Sequence, residues 1–204
     1  MNELSQIVYV VDDDAAVRNS LALLLKSVSL AVETCDSAVQ FLGRVRPDAA
    51  GCLVLDIRMP GMSGIELQQQ LKQRGYDLPI IFITGHGDVS MAVQAMREGA
   101  LDFIEKPFRD QELLDRVYQA LEADRTRRRA ADQTVHIRER FAGLTPREHE
   151  VMLRIAHGQA NKVIAIELGL SERTVEIHRA KVMHKTGARS LAELVGMASK
   201  IGIT

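Results

Sequence analysis

The chain has 204 residues, a hydrophobic fraction of 46% and five prolines, which suits one large or two modest globular domains and excludes a disordered or fibrous chain. Its net charge of −1 conceals an opposition, because residues 1–121 carry 11 Lys or Arg against 17 Asp or Glu while residues 122–204 carry 15 against 10. The basic second part is therefore a candidate for nucleic acid, and apolar runs such as 7–11 and 78–83 are far too short to span a bilayer.

In chain order, short apolar strands are expected at 7–11, 31–34, 52–56, 79–84 and 103–105. They alternate with amphipathic helical patterns at 17–28, 37–44, 65–74, 89–98 and 111–121. Continuous apolar strands joined by helices read as a doubly wound five-stranded parallel sheet, which binds ligands at the carboxyl ends of its strands. Asp14, just ahead of Ala15, Ala16 and Val17, reads as a helix-start residue favoured by the dipole. Cys35 and Cys52 lack CxxC spacing and paired histidines, so reduced packed thiols are expected and a zinc site is not. No basic stretch followed by a long apolar one opens the chain, so a cytoplasmic protein with no membrane partner is expected.

Residues 109–142 contain neither Gly nor Pro, and the apolar periodicity through Leu113, Leu114, Val117 and Leu121 fades across the charged run 124–129. The final helix of the first domain (1–121) is read as continuing, or nearly so, into an exposed helical linker (122–142). The arginines of that run read as a solvated face. Residues 143–204 then form a small all-α domain. Thr145, Pro146 and Glu148 have the spacing of a capping box before a helix to about His157. A short helix at 162–168 stops at Gly169, Ser171 caps a third, and a fourth covers 190–200. A seven-residue helix, a Gly-containing turn and a longer capped helix make a helix-turn-helix.

Topology brings reactive side chains to one sheet edge: Asp12 and Asp13 after the first strand, Asp56, Thr84 and Lys106 at the ends of the third, fourth and fifth. Three carboxylates so placed would repel unless a divalent cation sat among them. An all-oxygen cluster with one lysine suits Mg²⁺, with Mn²⁺ as an alternative.

The strings "VVDDD", "LVLDIRMPGMSGIEL", "IIFITGHGD" and "GALDFIEKPF" resemble, in order and over residues 5–121, the receiver domain of bacterial two-component response regulators, in particular the FixJ subfamily. The resemblance implies that Asp56 accepts a phosphoryl group from a sensor histidine kinase. It also implies that Asp12, Asp13, Asp56 and the backbone carbonyl of Arg58 hold the metal, Asp13 more directly than Asp12. Lys106, followed by a cis Pro107, would pair with phosphate, and Thr84 with Phe103 would form the switch. His86 in the "GHGD" loop reads as a loop residue affecting local dynamics rather than a catalytic one.

On the third helix of the second domain, Val175, His178, Arg179 and Val182 share one stripe, the valines demanding burial and making His178 a core residue. The other face carries Arg173, Glu176, Ile177, Ala180, Lys181 and His184, a mixed surface suited to reading base edges, while Arg173, Lys181, Lys185 and Arg189 can meet phosphates. The helix start at Ser171 and Thr174 can also bind a phosphate. "LSERTVEIHRAKVMHKTGARS" resembles the LuxR-type (NarL/FixJ) DNA-binding domain, the likeness covering residues 144–195. It implies base-facing positions at Glu176, Ile177 and Ala180, and backbone contacts from Thr174 and Lys181.

The expected protein is thus a transcription regulator rather than an enzyme, its only chemistry the gain and loss of its own phosphoryl group. Phosphorylation would drive homodimerisation through the 89–121 face, binding of double-stranded promoter DNA and, with RNA polymerase, activation of transcription. A metal-dependent phosphotransferase would commonly carry Asp-x-Asp, but Arg58 stands two residues after Asp56. A flavin protein would need aromatic side chains near the strand ends, and none is there.

Overall fold

A computed structural model describes residues 6–85 and 89–203. The chain forms two compact units, one ending at Arg127 and the other beginning at Arg128. His86 lies outside the described residues.

In the first unit, β1 (Ile7–Val11), β2 (Ala31–Cys35), β3 (Gly51–Asp56), β4 (Ile80–Thr84) and β5 (Asp102–Glu105) form one parallel sheet in the order β2-β1-β3-β4-β5. Between them run α1 (Ala15–Ser27), α2 (Ala38–Arg44), α3 (Gly64–Gln73) and α4 (Val89–Arg97), with α5 (Asp110–Ala142) following β5. The central strands β3 and β4 are buried along their whole length, as strands covered on both faces must be. Side chains two apart share a face, so Tyr9, Val11, Leu53, Leu55 and Phe82 enter one core with Phe41, Leu67 and Leu71. Val8, Val10, Val54, Ile81 and Ile83 enter the other with Leu21, Leu25, Leu113 and Val117.

Differences from the expected bounds have local causes. Helix α1 starts at Ala15 because Asp14 accepts the N–H groups of Ala16 and Val17 at 2.7 and 3.4 Å, ending the run of three acids with a cap. Ser37 lies outside α2 as its cap, and Ser63 closes a capping box with Glu66 at α3. Helix α5 continues to Ala142, where nothing in its sequence breaks it.

In the second unit, α6 (Pro146–Ala156), α7 (Asn161–Leu168), α8 (Glu172–Thr186) and α9 (Leu191–Lys200) pack with Ile137 and Phe141, from the end of α5, around Val151, Met152, Ile164, Val175, Val182 and Leu194. Gly169 ends α7 at φ 65°, a left-handed turn that leads to the Ser171 cap of α8. Cys35 and Cys52 are free and buried, and burial pushes the Cys52 thiol up to about 12. Among the described residues no helix is long and apolar enough to cross a membrane.

Leu53, fully buried in β3, and Leu23, 71% exposed on α1, separate packing from surface effects. Leu53→Ala should lower the stability of the first unit by about 2–5 kcal/mol, and Leu23→Ala should change it by less than about 0.5 kcal/mol. Urea denaturation of the two variants checks the contrast.

Candidate phosphoacceptor site and nucleic-acid interface

The parallel topology places the ends of β1, β3, β4 and β5 side by side, and a single ammonium group joins three of them. Lys106 Nζ lies 2.9 Å from Asp12 Oδ2 and 3.0 Å from Asp56 Oδ1. The remaining carboxylate oxygens accept backbone N–H groups, Asp12 Oδ1 from Asp14 at 2.8 Å and Asp56 Oδ2 from Arg58 at 3.0 Å. Both acids are buried, Asp12 at 2% and Asp56 at 8% exposure. The Lys106–Pro107 peptide is cis, and the Lys106 N–H donates to the Thr84 carbonyl at 2.7 Å.

Burial pushes the Asp56 carboxyl above its ordinary range; Lys106 and the Arg58 N–H pull it back, and Asp12 adds to the rise. Lys106 itself is raised: burial acts to lower it, and its bonds to the two carboxylates outweigh that. At an effective dielectric of about 20, each ion-pair contact near 3 Å carries on the order of 5 kcal/mol of attraction before desolvation, enough to keep the lysine charged. Asp56 thus presents a buried carboxylate beside a cation.

Three crowded carboxylates are expected from the sequence, but the structure brings two together. Asp13, on the turn between β1 and α1, is exposed. Among the described residues no three Asp, Glu, His or Cys side chains gather closely enough to form a metal cage. Asp12 and Asp56 do suit Mg²⁺, which accepts one or two carboxylates and keeps several waters. Thr84 is buried at 4%, opposite Glu105 in the sheet register, while Phe103, two residues earlier on β5, is 39% exposed.

Two further residues belong to this edge. Arg18 Nη1 donates to the Asp12 backbone carbonyl at 2.7 Å, tying α1 to the acidic turn. Gly64 lies so close to β3 that a Cβ there would stand 2.3 Å from the Asp56 carbonyl oxygen. Sequence reading passes over both: Arg18 sits one turn into a helix, and Gly64 follows a serine that explains the turn by itself.

In the second unit, Ser171 Oγ accepts the Thr174 N–H at 3.1 Å and lies 2.8 Å from the Thr174 hydroxyl. Val175 and Val182 are fully buried and His178 and Arg179 half-buried, Arg179 donating to Asn161 at 3.2 Å. Arg173, Glu176, Ile177, Ala180, Lys181 and His184 are exposed together on α8, with Ile177 at 49%. Lys185, expected at DNA phosphates, is exposed and also has partners inside the unit. Its ammonium is held within the unit by Glu148 Oε2 at 2.6 Å and the Gly143 carbonyl at 3.2 Å. Glu148 is buried and also accepts the Thr145 N–H at 2.8 Å, and these bonds, Lys185 first, hold its carboxyl down to about 2.

A carboxylate and lysine site at the carboxyl edge of a doubly wound parallel sheet, on one chain with a capped helix-turn-helix, defines a signalling protein with a receiver and a DNA-binding unit. The chain matches the response regulator receiver domain over residues 8–118 and the bacterial regulatory proteins of the luxR family over residues 142–198. It is 50% identical over 198 residues to nodulation protein W of Bradyrhizobium diazoefficiens, covering 97% of this chain and 87% of the relative. It is 48% identical to the transcriptional regulatory protein FixJ of Azorhizobium caulinodans, covering 96% of this chain and 93% of the relative. A solved structure of the response regulator StyR superposes with a TM-score of 0.86 at 48% identity, covering 96% of this chain and 99% of that one. The chain belongs to the two-component response regulators that join a receiver to a LuxR-type DNA-binding domain, and it is a transcription regulator.

The Glu148 carboxyl is depressed from 4.5 to about 2, so it stabilises the second unit above pH 4.5 and loses that contribution as pH falls toward about 2. Urea midpoints of the native chain should fall through this window more steeply than those of Glu148→Gln, which starts lower. Parallel curves would show that the Lys185 pair contributes nothing.

Proposed function

We propose that Asp56 is the phosphoryl acceptor and that its modification controls promoter binding by the second unit. The observation that carries this reading is the Lys106 ammonium held between Asp12 and Asp56. A carboxylate oxygen of Asp56 attacks the phosphorus of a phosphohistidine on a sensor histidine kinase; the P–N bond breaks as the P–O bond forms, and the imidazole leaves with its electron pair. Lys106 exchanges its carboxylate contacts for a phosphoryl oxygen, so charge is matched without new groups having to enter the site. Mg²⁺, or Mn²⁺ in its place, would be held by Asp12, Asp56 and the backbone carbonyl of Arg58, with Asp13, exposed on the same turn, swinging in to join them, and when bound would offset charge on the phosphoryl oxygens.

The buried Thr84 hydroxyl turns toward the new phosphoryl group. Phe103 then moves from its exposed position into the space Thr84 leaves, which alters the surface of α4 and β5. Through the 89–121 face the phosphorylated chain forms a homodimer, which binds two half-sites on promoter DNA and recruits RNA polymerase in the cytoplasm to activate transcription. No group beyond Asp56 need turn over a substrate, so the chain acts as a regulator and not as an enzyme.

On α8, Glu176, Ile177 and Ala180 read base edges. Ser171, Arg173, Thr174 and Lys181, with Arg189 beyond the helix, hold the phosphate backbone. Lys185 supports α8 from within the unit.

Two measurements test this reading. Asp56→Asn should abolish the rise in affinity for selected promoter DNA that a small phosphodonor produces, while leaving basal binding within about twofold; a retained phosphodonor effect contradicts the assignment. DNA affinity should fall steeply with salt. Lys181→Gln should flatten the log–log slope by about one, and Lys185→Gln should lower stability with little change of slope; a flat response in the native chain counts against DNA binding.

A further inference from the structure

Helix α5 leaves the apolar core of the first unit after Leu121, yet Asp124, in the charged run that follows, has 0% exposure. Its Oδ2 accepts the backbone N–H of Gly51 at 2.9 Å and the Gln6 side-chain amide at 3.2 Å; its Oδ1 accepts Arg127 Nη2 at 2.6 Å. Arg127 pairs through its other terminal nitrogen with Asp77, ahead of β4. The same Gln6 amide donates to the Leu121 carbonyl at 2.7 Å, and its oxygen accepts from Arg125 at 3.3 Å.

A buried carboxylate without partners is strongly disfavoured, so three donors converging on one acid mark a built arrangement rather than a chance contact. Gly51 is part of it. Its φ is 128°, and a Cβ there would stand 1.8 Å from the Ile7 carbonyl oxygen, so the close approach of β1 and β3 at this end needs glycine. The receiver match ends at residue 118 and the luxR match begins at residue 142, so Asp124 and Arg127 fall within neither.

We propose that Asp124 is a pin. It fastens residues 122–127 of α5 to the amino-terminal edge of β1 and β3 and makes them part of the receiver. The receiver's working boundary is then Arg127 and not residue 121. Gly51 and Asp56 are the two ends of β3, roughly 17 Å apart at the rise of a strand, so the pin holds whether or not Asp56 carries a phosphoryl group.

Hydrogen exchange of the full-length chain, read by mass spectrometry, tests this. Peptides covering residues 122–127 should be protected in the native chain and exchange at least tenfold faster in Asp124→Asn and in Arg127→Gln, while peptides from the interior of β3 stay at the native rate. Arg127→Gln carries the comparison if Asp124→Asn does not fold. Exchange at the native rate in the variant overturns the pin. A second arm rests on the phosphoacceptor reading: treatment with acetyl phosphate should leave 122–127 protected, and deprotection there in chains that have gained the phosphoryl mass overturns the claim that the pin is constant. Chains that gain no mass contradict the phosphoacceptor reading, and the variants then decide the pin alone.

Discussion

The ammonium of Lys106 between Asp12 and Asp56 is the interaction on which the receiver site depends. Two buried acids on neighbouring strands would repel each other and drive one toward its neutral form. A cation 2.9 and 3.0 Å from them keeps both in place and joins the ends of β1, β3 and β5 into one edge. It can reach them because the sheet is parallel, which puts every strand's carboxyl end on the same side. The same lysine, through its backbone N–H, is tied to Thr84 at the end of β4.

The same solution recurs elsewhere in the chain. Among the described residues the buried carboxylates are those of Asp12, Asp56, Asp124 and Glu148. Each accepts one backbone N–H and one cation: Asp14 and Lys106, Arg58 and Lys106, Gly51 and Arg127, Thr145 and Lys185. A buried acid so partnered is costly to disturb, since removing either donor leaves a desolvated charge. These four points fix, in turn, the turn after β1, the end of β3, residues 122–127 of α5 and the footing of α8. Of these only the first two share a cation, and only there can a new charge compete for it.

What could be read from the sequence follows from how local the cause is. The five strands, the Asp14 cap and the Thr145–Glu148 capping box were legible because apolar runs and side-chain spacing act within a few residues. Asp12, Asp56, Thr84 and Lys106 were legible together because strand-end positions converge in any parallel sheet. Asp124 was not, because "EADRTRRR" has the composition of a solvated face and only the fold brings Gly51 and Gln6 to it. The Lys185–Glu148 pair was not legible for the matching reason: Lys185 stands on α8, while Glu148 is 37 residues earlier. Gly64 and Arg18 gave no separate signal, since their importance lies in a single close approach to the backbone of Asp56 and Asp12.

The most direct test is to find where the phosphoryl group goes. The full-length chain, phosphorylated by a small phosphodonor or a sensor kinase, can be reduced with borohydride, digested and mapped by mass spectrometry. At most one phosphoryl group per chain is expected, trapped as the reduced residue at position 56. Modification at Asp12, Asp13 or any other residue with position 56 unchanged, or a chain that releases phosphate from a phosphomonoester over many turnovers, would contradict it.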